Sequence, residues 1–191
     1  TYDDGTTPLH GRQPPNGALR GYKGSLYEGG HRIPFLARWP GRIAAGGSSG
    51  QLVAHVDARA TLAALTGQKG PSGAGPDSVN VLPAWLGEPG ARGRDELVLQ
   101  NNGQAPLALR QGDWVLIEKG RGGRPGAARK QKTKESPGHE LYNLKADPAQ
   151  TNNLAAQEPE RVKTMAARLE ESRQVRPFGL MTFLRFRRVE G

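Results

Sequence analysis

Apolar positions in this chain fall into short runs punctuated by glycine and proline. Residues 33–39 form a seven-residue, largely apolar stretch that closes at Pro40 and Gly41. Length and punctuation predict a buried strand there. Pro34 donates no amide hydrogen and argues against a central position unless it opens the strand. Residues 52–56 read as a further strand or as the approach to a helix. Asp57 then stands where a helix N-cap belongs, with Val56 before it as a staple. Ala58, Leu62 and Leu65 recur at helical spacing, and Gly67 follows as the C-cap. Residues 81–86 predict a short helical turn.

The pattern then becomes that of a sheet. Residues 96–100 read as a strand. Residues 107–110 and 114–118 flank Gln111, Gly112 and Asp113, which is a hairpin signal. Residues 140–144 make another strand. Pro159 opens a helix at its favoured first-turn position, and Val162, Met165, Ala166 and Leu169 give that helix one apolar stripe for packing against the sheet. Strands followed by a helix argue for a small antiparallel α+β unit. Residues 1–5 read as the end of a strand running into a polar turn, residues 6–21 as loop. The expected division is residues 1–90, the end of a larger α/β domain; residues 91–175, a small antiparallel sheet with a helix; and residues 176–191, a tail.

Composition adds charge and subtracts some chemistry. The 191 residues carry 27 Lys and Arg against 18 Asp and Glu, a formal charge of +9. Seven of those cations, from Lys119 to Lys134, stand in one Gly- and Pro-rich stretch with no acid among them. The stretch reads either as a solvated insertion or as a hook for a polyanion such as nucleic acid or a sulfated glycan. No aromatic residue is interleaved with the cations, which speaks against single-stranded nucleic acid. A smaller cluster of Arg185, Arg187 and Arg188 alternates with Phe186, as a half-buried terminal strand would. There is no cysteine, which excludes disulfides, thiolate metal sites and a cysteine nucleophile within these residues. No apolar run approaches the roughly 20 residues that span a bilayer. The first residue is Thr1 and no signal-peptide pattern follows, so the expectation is a chain that begins inside something longer or after a cleavage.

Two features near the start carry candidate chemistry. Asp3 and Asp4 precede Gly5 and offer hard oxygen donors to a divalent cation, although paired acids before glycine are also common in turns. Lys23 lies between Tyr22 and Gly24 in a glycine-rich stretch. Its ammonium is suited to a tetrahedral anion, with glycines allowing close backbone approach; surface loops of this composition are equally ordinary. Arg32 and Glu28 are candidate partners of one another. His31 and His10 sit in or before the same stretch, His55 precedes a helix, and His139 adjoins the basic run. The three tryptophans read as packing residues.

The stretch LRGYKGSLYEGGHRIPFLARWPGRI resembles the lysine-containing signature of the sulfatase family. HVDARATLAALTG, NVLPAWLGE, LALRQGDWVLIE and ELYNLKADPAQTNNLA resemble successive family segments in the same order, so the likeness runs to about Glu171. It implies the C-terminal portion of a type I, arylsulfatase-like enzyme of the alkaline phosphatase superfamily. It further implies sulfate ester hydrolysis by a formylglycine nucleophile, with a calcium ion polarising the sulfate. By the same resemblance Asp3 and Asp4 are metal ligands, with Asp4 departing from the commoner Asn, and Lys23 is a catalytic, sulfate-binding lysine. His31 falls within the signature and would line the substrate pocket. The formylglycine signature lies outside these residues, so the chain alone is expected to be inactive. The implied partner is a sulfated small molecule or glycan, with no membrane, and the implied location is periplasmic or secreted. The alternatives are a phosphoryl or phosphonate ester hydrolase of the same superfamily, a polyanion-binding module and a catalytically dead scaffold.

Overall fold

The computed structural model describes residues 16–69, 75–101, 106–118 and 138–175. Asp3, Asp4, His10, the basic run from Lys119 to Lys134 and the cluster Arg185 to Arg188 lie outside the described residues. The described elements are α1 (Glu28–His31), α2 (Ala58–Thr66), α3 (Leu82–Leu86), β1 (Glu96–Gln100), β2 (Leu107–Gln111), β3 (Trp114–Ile117), β4 (Glu140–Asn143) and α4 (Pro159–Val175).

The four strands form one antiparallel sheet in the order β1-β2-β3-β4. The hairpin between β2 and β3 pairs Gln111 with Trp114 across a two-residue loop. Gly112 holds φ +55° there, a conformation glycine adopts without a Cβ penalty. The strands are short and nearly continuously apolar because both faces of the sheet are covered. Successive side chains point to opposite faces. Leu107, Leu109, Leu116 and Leu141 therefore pack with Met165 and Leu169 of α4. Ala108, Val115, Ile117 and Tyr142 pack on the other side with Leu26 and Leu144. The stripe read in α4 is the one used: Val162 and Ala166 join the same cluster. Arg161 of α4 also lies over the Trp114 ring, 4.2 Å from its centroid. The free edge of β4 is partly satisfied by its own continuation, since Leu154 N–H donates to Leu141 O at 2.8 Å and Leu141 N–H to Asn153 Oδ1 at 3.0 Å.

Ahead of the sheet, α2 and α3 are tied together by polar groups rather than by the predicted apolar stripe. Leu62 is half exposed and Val56 does not act as a staple but faces solvent. The buried residue of α2 is Thr61, whose hydroxyl accepts the Val81 N–H at 3.1 Å. Gly67 caps α2 in the left-handed conformation as expected. Asp57 differs from expectation: it ends a 3-10 turn, His55–Asp57, and makes no capping bond to α2. Its buried carboxylate instead accepts the N–H groups of Ala54 at 2.8 Å and Val79 at 3.0 Å, and pairs with Arg94 at 3.3 Å. Arg94 extends the tie, donating to Asp77 O through its guanidinium and to Leu52 O through its backbone N–H.

The strand expected over residues 33–39 is absent. These residues carry no regular structure, and Ile33, Phe35, Leu36 and Trp39 are exposed. Pro34 and Pro40 remove two of the donors a strand would need, and no strand among the described residues pairs with this segment. Phe35 packs on Trp85 of α3 with ring centroids 5.1 Å apart.

Candidate functional site

The lysine segment folds as a tight turn laid against the sheet face opposite α4. Residues 22–25 close a β-turn through a Ser25 N–H bond to Tyr22 O of 2.9 Å. Gly24 occupies its third position with φ +86°, while Lys23 stays at negative φ in the second. That is the pattern of a type II turn, which calls for glycine at the third position. Lys23 is thus presented at the tip of the turn, and it is exposed.

Two glycines make the floor of this turn. Gly29 N–H donates to Arg20 O at 2.8 Å. A Cβ on Gly29 would stand 2.5 Å from Gly21 O, and one on Gly30 would stand 2.3 Å from Ser25 O. The chain entering the turn and the short helix α1 leaving it therefore touch backbone to backbone, which no side chain permits.

Side chains then fix the turn to the sheet. Leu26 is 1% exposed in the core with Ala108, Val115 and Ile117, a burial that stabilises by about 2 kcal/mol. Arg20 donates to the Tyr142 hydroxyl at 2.9 Å and to Gln150 O at 3.0 Å, and its guanidinium lies 3.9 Å from the Tyr27 ring centroid. The Tyr27 and Tyr142 hydroxyls both donate to Glu140 Oε2, at 2.9 Å and 2.6 Å. Burial and the Glu140 carboxylate push Tyr27 up to about 12 and raise Tyr142 as well, so both remain donors at neutral pH. Glu28 N–H donates to Gln150 Oε1 at 2.7 Å.

The Glu28 side chain, also buried, faces three basic groups. Arg32 lies at 3.4 Å, Arg110 at 3.8 Å and His31 at 4.0 Å. The Arg32 to Glu28 pairing read from the sequence is present. His31 Nε2 lies 3.3 Å from Leu26 O, at hydrogen-bonding distance. Burial holds the imidazole below its ordinary pKa. Arg110 and Arg32 act in the same direction, and Glu28 and the Leu26 carbonyl oppose them. His31 is therefore engaged with the base of the turn. Among the described residues no group of three or more His, Asp or Glu side chains is arranged to hold a metal ion.

Sequence reading missed Arg20, Arg110, Glu140, Tyr142 and Gln150 as parts of this arrangement. ELYNLKADPAQTNNLA was visible as a motif, but nothing in its spacing announces that it meets a segment more than a hundred residues earlier.

Chemically, the arrangement presents one ammonium group on a turn whose backbone is locked, and comparison with known proteins places that turn in a family. The Sulfatase family model matches residues 9–68, which contain it. An N-acetylgalactosamine-6-O-sulfatase of Bacteroides thetaiotaomicron is 38% identical over 160 residues, 82% of this chain and 30% of that protein. The human N-acetylgalactosamine-6-sulfatase is 42% identical over 71 residues, 37% of this chain and 14% of its own length. A solved structure from work on the metabolism of multiple glycosaminoglycans by Bacteroides thetaiotaomicron superposes with a TM-score of 0.70 and 37% identity. It covers 82% of this chain and 32% of its own. The structure of Ps i-CgsB, at a TM-score of 0.64 and 23% identity over 81% of this chain and 31% of its own, supports the fold alone. The chain thus spans about a third or less of the length of the relatives it matches. The fold is that of the alkaline phosphatase-like sulfatases; residues 9–68 match the Sulfatase family model, and the chain is similar to a sulfatase over 82% of its length.

Proposed function

We propose that this chain supplies the lysine-bearing part of a sulfate ester hydrolase and that Lys23 is its sulfate-binding, catalytic cation. The observation that carries the reading is the type II turn with Lys23 at its tip and glycine where the conformation demands it. An ammonium held on a rigid turn stabilises charge developing on a departing ester oxygen without reorganising in the transition state. The substrate class proposed is a sulfated sugar, supported by the 38% identical relative, an N-acetylgalactosamine-6-O-sulfatase.

Calcium at Asp3 and Asp4 rests on the motif resemblance and on the affinity of hard oxygen donors for that ion. When bound, a divalent cation supplies Lewis-acid polarisation of the sulfate oxygens. The formylglycine nucleophile is assigned to sequence outside these 191 residues, so the chain by itself is inactive in this reading. His31 belongs to the support of the turn as well as to the signature.

The test is Lys23→Ala in the full-length protein, with sulfate release measured from 6-O-sulfated N-acetylgalactosamine and from an aryl sulfate. The expected loss of kcat/KM is about 100-fold or more. Unchanged kcat/KM would overturn the role of Lys23. Absence of sulfate release by the wild-type protein, with phosphate released from the corresponding phosphate esters, would favour the phosphoryl hydrolase reading instead.

A further inference from the structure

We propose that Gln150 is a positioning residue for the Lys23 turn, closing its base from the opposite end of the chain. The inference rests on the reading of Lys23 as the sulfate-binding cation. Gln150 lies in the motif ELYNLKADPAQTNNLA, to which the proposed reaction gives no task. It is the one non-glycine residue at positive φ among the described residues, at +55°, and it is fully buried. A side chain in that conformation carries a strain of about 1–2 kcal/mol, and such strain persists only where the surroundings over-determine it.

What over-determines it is contact with both ends of the lysine turn. The Gln150 carbonyl accepts Arg20 Nη1 at 3.0 Å, on the strand of chain entering the turn. Its side-chain Oε1 accepts Glu28 N–H at 2.7 Å, on the chain leaving it. Arg20 and Glu28 bracket Lys23, and Gly29, next to Glu28, closes the ring by its own bond to Arg20 O. One residue thereby fixes the separation of the two ends. The left-handed conformation aims carbonyl and side chain at them together. Gln150 is held in place in turn, since Gln150 N–H donates to Asp147 O at 3.1 Å. The Asp147 carboxylate accepts the N–H groups of Thr151 and Asn152, each at 2.8 Å. The acceptor end of the side-chain amide, Oε1, is the part that meets the turn. Glutamine has no direct part in catalysis here; it acts through Lys23.

The experiment uses Gln150→Gly in the full-length protein. Glycine removes Oε1 but is at ease at positive φ, so the substitution deletes the contact while relieving the backbone. Gln150→Asn, which tolerates the same conformation but is one methylene short, is the second variant should the first not fold. Two readouts are taken. Amide exchange at Glu28 and Gly29 is expected to accelerate about tenfold. The kcat/KM for sulfate ester hydrolysis is expected to fall about tenfold or more in wild-type background, and less than twofold when Lys23 is already alanine. A loss of equal size in both backgrounds would assign Gln150 a general structural role and overturn the proposal, as would unaltered exchange at Glu28 and Gly29. If the wild-type protein hydrolyses no sulfate ester, the proposed function fails, and the exchange readout still decides whether Gln150 clasps the turn.

Discussion

Residues 19–31 and residues 33–50 are neighbouring pieces of one glycine-rich stretch, with four glycines each, yet they meet opposite fates. In the first, Leu26 is 1% exposed and the hydrogen bonds of Arg20, Tyr27 and Glu28 run to residues 140–150. In the second, Leu36 is 89% exposed, and the backbone bonds of Arg42 and Ile43 reach only as far as Trp39. Glycine content does not separate them, although Pro34 and Pro40 fall only in the second. The difference is access to a sheet face: the first segment covers the side of β2, β3 and β4 that α4 leaves open, and the second covers none of it. An apolar run is thus buried by its partner surface rather than by its own pattern.

Glycine makes the contrast measurable. In the lysine segment glycine is required for space, since a Cβ on Gly30 would stand 2.3 Å from Ser25 O. Gly50, in the second segment, has nothing within 4 Å of where its Cβ would be and no positive φ. Gly30→Ala is expected to destabilise by about 4 kcal/mol, because backbone must move to admit the methyl group. Gly50→Ala is expected to be neutral or to stabilise by about 0.5 kcal/mol through the unfolded chain. Urea denaturation monitored at the two sites by amide exchange checks both. Equal effects would break the comparison.

The same contrast holds for leucine with a smaller gap. Leu26→Ala empties a fully buried site between Ala108, Val115 and Ile117 and is expected to cost about 3 kcal/mol. Leu36→Ala removes an exposed side chain and should stay within about 0.5 kcal/mol. Thermal unfolding of the two variants side by side measures the difference. A cost for Leu36→Ala matching that of Leu26→Ala would show that the second segment is covered in solution.

These fates mark what was legible in the sequence. The sheet could be read because its signals are local: Gly112 and Asp113 between two apolar runs, and the stripe of α4 ending in Leu169. The strand at residues 33–39 was misread because burial was inferred from a run whose partner cannot be read from the run itself. Asp57 was placed at a helix N-terminus correctly in position and wrongly in task, since its partners Val79 and Arg94 are set by tertiary packing. The Arg32 to Glu28 pair was found because both residues lie inside one signature. Arg110, Glu140 and Gln150 were not, because contacts across such distances leave no trace in spacing, and positive φ at a glutamine has no composition signal.

Protonation gives the smallest expected effect and separates the two faces of the sheet. On the turn side, burial holds His31 below its ordinary pKa of 6.5, with Arg110 and Arg32 adding to the effect and Glu28 and the Leu26 carbonyl resisting it. The unfolded chain therefore binds the proton more readily than the folded one. The stability His31 contributes is present above pH 6.5 and is lost as the pH falls through its lowered folded value. On the helix side, Arg168 beside Glu96 holds that carboxyl below its ordinary 4.5. Its contribution is present above pH 4.5 and is lost only as the pH falls through the depressed value. Between pH 7.5 and 5.5, the protection of the Gly29 and Gly30 amides, taken relative to the intrinsic exchange rate at each pH, should fall while protection in α4 does not. His31→Asn should abolish that loss of protection. Parallel changes on both faces, or a loss of protection that survives the substitution, would show that the turn is not anchored through a neutral imidazole.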